Sequence, residues 1–478
     1  MGCRAGFAYR LTMMPDEGRR SGRAIGGIAV AVVGVILGLL LLQGSGLLAG
    51  SATAAPSSAA VAAVSSPSAP AGSVAPPALS ASPSDPLALR SAGSSDAPPG
   101  GSSSPAPPTA TPAASAVSPL AAARLQQTLD KVRGQLSIPG VSVAILWDDG
   151  RSWVGASGLR NVATKDRMTP GTAFALASIS KTFTAAVVLQ LVEEGKLALD
   201  QPVAPLLPQF KLDRRITLRM LLDHTSGLPD YFLRKGIDAA LQRAPDATWT
   251  AQQAWSYVQT KRPTPGTTWF YSNTNYLLLG ELVEAVTGTP LAQEVRTRLL
   301  DPLGLTTAYY QDVESPRETG TLSYRLTAKS GGGYSVTPVA RPSDIMPFRS
   351  VVTAAGGAGS IAATALDAAR WMRAWAGGKV LNAAMQAQML GDVARTVKLH
   401  AAIPYGLGIQ RVTLNGYPAL GHSGRFIGFR NVVRYLPTAG VTIAVLTNQS
   451  ALDPSRIASA LLKVILPTAT PSPSPSQH

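Results

Sequence analysis

The sequence predicts an α+β fold, in which an antiparallel sheet assembled from both ends of the folded chain is flanked by helices and carries a mostly helical inserted subdomain. Apolar runs typical of strands occur at 141–147 and 151–156. Similar runs return at 406–412, 427–435 and 442–447, after a long stretch with helical periodicity. Because strands from both ends must share one core, the helical middle is expected to be an insertion.

The folded part is expected to begin with an amphipathic helix and a β-hairpin. Between Leu120 and Leu136, the apolar residues Leu125, Leu129 and Val132 recur on one helical stripe. The following strand ends at the turn 148–150, Asp-Asp-Gly, which returns the chain as a second strand. Further helices are predicted at 178–194, 218–222, 251–260, 274–287 and 363–376, and a last one at 454–465 follows the final strand.

The segments outside this domain have a different composition. Several arginines precede an uncharged stretch at 24–42, which as a helix would rise about 28 Å, close to the hydrocarbon thickness of a bilayer. Residues 1–50 are therefore predicted to be a cytoplasmic n-region with a transmembrane anchor, or a cleaved signal. The Ala-, Pro- and Ser-rich residues 51–118 are predicted to be a disordered linker and 468–478 a disordered tail, which leaves 119–467 as the folded domain.

The composition argues against several classes of protein. A single cysteine, Cys3, gives neither a disulfide framework nor a cysteine-based metal site. The net charge is +15, but the basic residues are scattered, so no nucleic-acid interface is expected. Such a surface is either simply solvated or suited to work near anionic cell-wall polymer. The four histidines lack ligand spacing, and no metal or cofactor is expected.

Ser178 and Lys181 lie three residues apart at the start of a predicted helix, on one helical face. A serine hydroxyl needs a nearby base to become a good nucleophile. A lysine is such a base only where burial or positive charge favours its neutral form, and the apolar neighbours Phe174 and Phe183 favour burial. The alternative interpretation is a capping serine followed by a solvated lysine.

Two further motifs carry side chains suited to the same site. In the Tyr271-Ser272-Asn273 motif, the tyrosine can relay a proton and the amide can hold a lysine or a substrate carbonyl, although a polar helix cap would look the same. The motif Gly421-His422-Ser423-Gly424-Arg425 lies between predicted strands. Its glycines allow close approach of a substrate backbone, and position 422 suits a proton donor or positive group. A lone structural histidine is the alternative.

The order of these three motifs resembles the serine β-lactamase and penicillin-binding protein family. Within this family, the Tyr-x-Asn and His-x-Gly motifs resemble those of one branch. That branch contains class C β-lactamases, D-alanyl-D-alanine carboxypeptidases and related esterases. The stretches 221–228, 301–305 and 405–408 also match, and the resemblance covers about 120–466. It implies the β-lactamase/transpeptidase-like fold.

The resemblance also implies roles for individual residues. Ser178 would be acylated, Lys181 would activate it, and Tyr271 would transfer protons, especially in deacylation. The substrate-side residues implied are Asn273, His422, Ser423, Gly424 and Arg425, with backbone N–H groups of Ser178 and Arg425 forming an oxyanion hole. Histidine rather than lysine at 422 favours a peptidase or an esterase over a β-lactamase.

The function expected from these observations is that of an extracytoplasmic serine hydrolase, membrane-anchored or secreted. Its substrates would be peptidoglycan-type peptides, as for a D-alanyl-D-alanine carboxypeptidase, and β-lactams would be covalent ligands. The alternatives are an esterase or β-lactamase of the same fold, or a non-catalytic tethered module that binds peptidoglycan or a partner. A carboxypeptidase must bind a terminal carboxylate, for which Arg411 is the candidate and Arg425 a second one. Arg411 could equally be a solvated residue at a strand end.

Overall fold

The computed structural model describes residues 116–259, 262–340 and 343–467. The predicted anchor at 24–42, nearly all of the predicted linker at 51–118 and the predicted tail at 468–478 lie outside these ranges. Within the described ranges, no helix is long and apolar enough to cross a bilayer.

Helices and strands alternate unevenly along the chain. The helices are α1 Pro119–Gln135, α2 Ser180–Glu193, α3 Leu218–Leu222, α4 Ile237–Arg243, α5 Ala251–Trp255, α6 Asn273–Thr287, α7 Leu291–Val295, α8 Arg349–Ala355, α9 Ala365–Ala376, α10 Ala383–Lys398 and α11 Ser455–Ile465. The strands are β1 Gly140–Trp147, β2 Ser152–Asn161, β3 Asp166–Arg167, β4 Phe174–Ala175, β5 Tyr309–Tyr310, β6 Tyr324–Ala328, β7 Tyr334–Pro338, β8 Ile361–Ala363, β9 Gln410–Leu414, β10 Tyr417–Phe426, β11 Phe429–Leu436 and β12 Val441–Thr447.

The main sheet joins the two ends of the domain. Its strand order is β3-β2-β1-β12-β11-β10-β9, and neighbouring strands are antiparallel. The join is between β1 and β12, where Val141 lies opposite Thr447 and Trp147 lies opposite Val441. The predicted α+β class, with a sheet built from early and late strands around a helical insertion, is therefore confirmed.

Side-chain alternation along β1 divides the interior into two layers. Val143 and Ile145 belong to the core beneath α1 and α11, whereas Ala144 and Leu146 belong to the larger core on the opposite face, where α9 packs. Because successive strand residues point to opposite faces, one apolar strand serves both cores.

Helix α2 lies inside the larger core. Its residues are buried on nearly every side, in keeping with a sequence that is apolar all round rather than on one stripe. The rings of Phe183 and Trp371 stack with centroids 4.0 Å apart, and the Trp371 indole N–H donates to Thr182 Oγ1 at 2.7 Å. These contacts fix α2 against α9 and hence against the sheet.

Most predicted elements are present, with differences at breaks in the pattern. The helix predicted at 178–194 starts as a 3₁₀ turn, Ala177–Ile179, that leads into α2, and the helix predicted at 251–260 ends at Trp255. The strand predicted at 406–412 begins only at Gln410. The motif predicted to lie between strands at 421–425 is part of β10, whose glycines and proline hide the strand pattern.

Strand β10 approaches the 3₁₀ turn more closely than an ordinary residue allows. A Cβ on Gly424 would lie 2.1 Å from the carbonyl oxygen of Leu176 and 3.4 Å from Ile179 Cγ1. The Asn431 amide on β11 donates to the Ala175 carbonyl at 2.8 Å, just before the same turn. The sheet edge and the turn that carries Ser178 therefore form one packed unit.

We expect Gly424→Ala to lower the free energy of unfolding by roughly 1–3 kcal/mol, because the methyl group would collide with backbone that cannot move aside. The matched control is Gly391→Ala in α10, where a Cβ meets nothing within 4 Å, and where the change should be neutral or slightly stabilising. Chemical denaturation of both variants measures the difference. Equal effects of the two substitutions would contradict the close approach.

Candidate active site

Ser178 lies in the 3₁₀ turn between β4 and α2, with only 3% of its surface exposed. The preceding residue, Ala177, has a φ of 52°, in the left-handed region that residues with a Cβ seldom adopt. The Leu176 N–H donates to the Ile361 carbonyl at 2.8 Å, so the start of the turn is tied to β8. A locally unfavourable backbone is thus held in place by its surroundings, as is common at functional sites.

The Lys181 ammonium group contacts three acceptors. Nζ lies 3.1 Å from Ser178 Oγ, 2.7 Å from Asn273 Oδ1 and 2.8 Å from the Ala358 carbonyl oxygen. The last two oxygens can only accept hydrogen bonds. When Lys181 is neutral, its two N–H bonds therefore go to these oxygens, and its lone pair faces the Ser178 hydroxyl. This geometry suits a base that removes the serine proton.

A buried carboxylate fixes the orientation of the amide. Asn273 Nδ2 donates to Asp230 Oδ2 at 2.7 Å, which turns Asn273 Oδ1 toward Lys181. The other oxygen, Asp230 Oδ1, accepts from the Phe232 N–H at 3.0 Å. Asp230 was not identified from the sequence, because an aspartate at that position has the pattern of an ordinary helix cap.

Burial sets the charge states of this pair. It lowers the pKa of Lys181 to about 7, against the opposing attraction of the Asp230 carboxylate. Burial raises the pKa of Asp230 to about 6, which its hydrogen bonds and Lys181 oppose. Near pH 7 the carboxylate is therefore ionised while a large share of Lys181 is neutral and able to act as a base.

Tyr271 lies just before α6, with Lys181 Nζ 5.2 Å from the centroid of its ring. Burial raises the pKa of Tyr271 well above its usual value, and the nearby Tyr405 raises it further. The Ser178 hydroxyl opposes this rise. The phenol is therefore protonated at neutral pH and close to Ser178. Among the described residues, its Oη has no hydrogen-bond partner of standard geometry.

His422 is a neutral ring in this site. Its Nδ1 lies 2.6 Å from the Ser423 carbonyl, which can only accept, so Nδ1 carries the proton and Nε2 accepts from Tyr405 Oη at 2.9 Å. Burial, then the positive charge of Lys181, lowers the pKa of His422 well below its usual value. Of the two groups expected at position 422, a proton donor or a positive group, the second is not present, because a buried ring beside a lysine stays uncharged.

A cavity of about 270 Å³ adjoins these residues. It reaches Tyr271 and Gly424 rather than Ser178 itself. Its polar lining includes Gln410, His422, Ser423, Arg425, Arg430, Arg434 and Asp453. Arg434, 4% exposed, donates to Ser423 Oγ at 2.7 Å and to Gln410 Oε1 at 2.9 Å. In the described part of the chain, no carboxylate forms an ion pair with it.

Three arginines line this cavity, Arg425, Arg430 and Arg434, and the first predicted candidate, Arg411, is not among them. Strand β9 does pair with β10, with Arg411 opposite Leu420, but Arg411 is exposed and is absent from the cavity lining. Alternation along β9 turns Gln410 inward and Arg411 outward. The buried guanidinium comes from β11 instead, and burial lowers the pKa of Arg434 to about 10, which leaves it charged at neutral pH. Ser423 and Arg425, predicted to be on the substrate side, are half-buried and line the cavity.

Comparison with known proteins identifies the family. The family model described as Beta-lactamase matches residues 125–465. Penicillin-binding protein 4 of Amycolatopsis lactamdurans is 33% identical over 347 residues, which cover 69% of this chain and 86% of that protein. The chain therefore belongs to the β-lactamase family and is a serine hydrolase of the kind that includes penicillin-binding proteins, as the motif order predicted.

Other similar proteins have names that describe hydrolases of D-amino acid derivatives. A D-aminopeptidase of Brucella anthropi is 30% identical over 61% of this chain. The matched region covers 52% of that relative, so this chain spans about half of its length. A D-stereospecific amidohydrolase from Streptomyces sp. is 29% identical, with a TM-score of 0.60 over 71% of this chain and 98% of its own. The D-amino acid amidase of Ochrobactrum anthropi SV3, at 23% identity and a TM-score of 0.62 over 72% and 98%, shows likeness of fold alone.

We expect the rate at which a fluorescent penicillin labels the protein to rise with pH through a midpoint near 7, because only neutral Lys181 can take the serine proton. In Asp230→Asn the midpoint should move to lower pH, since the carboxylate that favours the ammonium form is gone. Labelling kinetics across pH measure both.

Two controls accompany this measurement. Asp453→Asn removes a carboxylate that lines the cavity but does not affect the pKa of Lys181, and it should leave the midpoint in place. Ser178→Ala should abolish labelling at every pH. A midpoint that stays fixed or rises in Asp230→Asn would contradict the electrostatic coupling, and full labelling of Ser178→Ala would contradict the choice of nucleophile.

Proposed function

We propose that the protein is an extracytoplasmic serine carboxypeptidase that removes the terminal residue of a D-alanyl-D-alanine-type cell-wall peptide through an acyl-enzyme. The observation that carries the substrate assignment is the buried Arg434 guanidinium beside Ser423, in a cavity that borders Tyr271 and Gly424. A guanidinium is well shaped for a carboxylate, and desolvation strengthens the contact. A substrate with a free C-terminal carboxylate suits this arrangement.

Acylation begins at the hydrogen bond between Lys181 and Ser178. Neutral Lys181 takes the hydroxyl proton while Oγ attacks the carbonyl carbon of the scissile amide. The developing oxyanion is assigned to the backbone N–H groups of Ser178 and Arg425. The carbon–nitrogen bond then breaks, and the proton held by Lys181 passes to the leaving amine, so that the lysine is neutral again.

Deacylation is assigned to Tyr271. Water attacks the ester carbon, and Tyr271 Oη accepts a proton from that water while it donates its own to Ser178 Oγ as the ester bond breaks. The phenol is thus protonated before and after the step, in keeping with a pKa raised well above its usual value by burial. The products are the shortened peptide acid and free Ser178.

A second candidate function is hydrolysis of amides or N-terminal residues of D-amino acid derivatives. The names of the similar D-aminopeptidase and D-stereospecific amidohydrolase favour it. Such substrates need no carboxylate contact with Arg434.

The fold is also compatible with esterase activity, with β-lactamase activity and with a non-catalytic tethered module. The Ser178→Ala labelling experiment separates the module from all the enzymes.

We expect Arg434→Gln to lower kcat/KM for a D-Ala-D-Ala peptide about 10- to 150-fold, the equivalent of a charge-assisted contact of roughly 1.5–3 kcal/mol. A neutral p-nitrophenyl ester and a D-amino acid amide should be affected little. Arg411→Ala is the matched control, because that arginine is exposed and outside the cavity, and it should leave all three rates unchanged.

The deciding quantity is how the loss of kcat/KM in Arg434→Gln compares between the peptide, the ester and the amide. Equal losses on peptide, ester and amide would mean that Arg434 only supports the fold. If the amide is the best substrate of the unaltered enzyme and Arg434→Gln leaves that preference unchanged, the aminopeptidase or amidase function replaces the carboxypeptidase.

The cell-wall setting also depends on the predicted membrane segment at 24–42. We expect the full-length protein to sediment with membranes and to be degraded by protease added outside intact cells that lack an outer barrier. A chain that begins at residue 115 should stay active as a purified domain. Recovery of the full-length protein solely inside the cell would contradict the extracytoplasmic location.

A further inference from the structure

The ring of Tyr271 needs a support other than its own hydroxyl. The residue is buried, yet in the described part of the chain Oη has no hydrogen-bond partner of standard geometry. A buried tyrosine usually anchors its hydroxyl in a hydrogen bond. The position of this proton-transfer group must therefore be set by its backbone and by the groups packed against its ring.

His224 contacts the backbone on both sides of Tyr271. Its carbonyl oxygen accepts from the Phe270 N–H at 3.0 Å, and its Nδ1 accepts from the Ser272 N–H at 3.2 Å. Its ring lies against the Tyr271 ring, with centroids 4.3 Å apart and an angle of 38° between the planes. Nδ1 is also 3.2 Å from the Asn275 amide, which ties the first turn of α6 to the same imidazole.

The conformation of His224 is unusual in ways that ordinary packing does not require. The residue is fully buried and has a φ of 65°, in the left-handed region. Because a backbone N–H can only donate to Nδ1, the proton of the neutral ring is on Nε2. That nitrogen is buried and has no hydrogen-bond partner among the described residues, so one polar atom is left unsatisfied to keep Nδ1 an acceptor.

The surroundings of His224 exclude its charged form. The rings around it are those of Tyr271, Tyr276, Tyr405 and Trp269, and the cationic or titratable groups that act on it are Lys181 and His422. Burial, then the charge of Lys181, lowers the pKa of His224 well below its usual value. A proton on Nδ1 would also face the Ser272 N–H donor directly.

We propose that His224 is a positioning residue for Tyr271, and that it holds the Tyr271 hydroxyl at Ser178 by accepting hydrogen bonds from the backbone on either side and by packing against the ring. The inference rests on the proposed serine-hydrolase function, in which Tyr271 transfers protons. His224 does not touch the reacting atoms and acts through Tyr271 alone. A positioning role predicts that the effects on kcat of substituting His224 and Tyr271 are not independent of each other.

A double-mutant cycle on the full-length enzyme tests the coupling, with kcat for a p-nitrophenyl ester as the readout. A misplaced proton-transfer group can cost about 100-fold, so His224→Ala should lower kcat by about that factor. In a Tyr271→Phe background the same substitution should cost at most a few-fold, because the group that His224 positions is already gone. Losses that simply multiply would overturn the proposal and make His224 a general support of the fold.

A matched pair of amide variants covers the case in which His224→Ala fails to fold. His224→Asn places a carbonyl oxygen near the position of Nδ1 and tolerates a positive φ, whereas His224→Gln places it near Nε2. The Asn variant should keep kcat within about 10-fold of the unaltered enzyme and the Gln variant should lose about 100-fold. Equal activities of the two would overturn the proposal.

A spectroscopic readout separates failure of this inference from failure of the proposed function. In ¹⁵N NMR, the His224 ring, assigned by its absence in His224→Asn, should remain neutral with the proton on Nε2 from about pH 5 to 8, the range in which an ordinary histidine titrates. A proton on Nδ1, or titration in that range, overturns the proposal whatever the enzyme hydrolyses. If Tyr271→Phe leaves turnover unchanged while the NMR result holds, the proposed role of Tyr271 fails instead.

Discussion

The site depends on the burial of one amine. Lys181 is fully enclosed, and its three contacts join the 3₁₀ turn before α2, the first residue of α6 and the short turn 356–358. Thr184, one turn further along α2, donates to the Gly357 carbonyl at 2.7 Å and strengthens the same junction. An amine in this position is costly to keep charged, so the packing that builds the junction also supplies the base.

Two glycines near the site allow the backbone of neighbouring elements to pack closely against this junction. Gly424 allows β10 to lie against the nucleophile turn, and Gly357 lets its turn pack on the Tyr276 carbonyl, where a Cβ would come within 2.6 Å. Both contacts are between backbones, which do not yield as flexible side chains do. The distances among the reactive groups are therefore determined mainly by main-chain packing, and the reactive side chains extend from a rigid backbone.

Charge around the site is arranged unequally. Arg434 is buried and forms no ion pair among the described residues, although the Asp453 carboxylate in the same cavity favours its charged form, whereas His422 and His224 are kept neutral by their surroundings. A buried guanidinium without a paired carboxylate costs stability, and the cavity lining holds three arginines, Arg425, Arg430 and Arg434, against the one carboxylate of Asp453. This imbalance is the physical reason to assign an anionic group to the substrate, and it sets the carboxypeptidase proposal apart from activities on neutral amides.

The sequence by itself determined the fold class, the family and the residues that meet at Ser178. It could do so because helix and strand periodicities are local, and because the spacing of Ser178 and Lys181 places them on one helical face wherever that helix lies. The assignment of Tyr271 and Asn273 to the same site came from motif order rather than from local physics.

The tertiary structure alone decided that Arg434 rather than Arg411 lies in the cavity, and it decided which side chains set the charge states. Gln410 and Arg411 are neighbours, and a strand register that no local pattern fixes turns one inward and the other to solvent. Asp230 and His224 look like a cap and a structural histidine until distant segments fold over them. Burial, which shifts the pKa of Lys181 to about 7, is a property of the whole packed domain and not of the residues beside it in the chain.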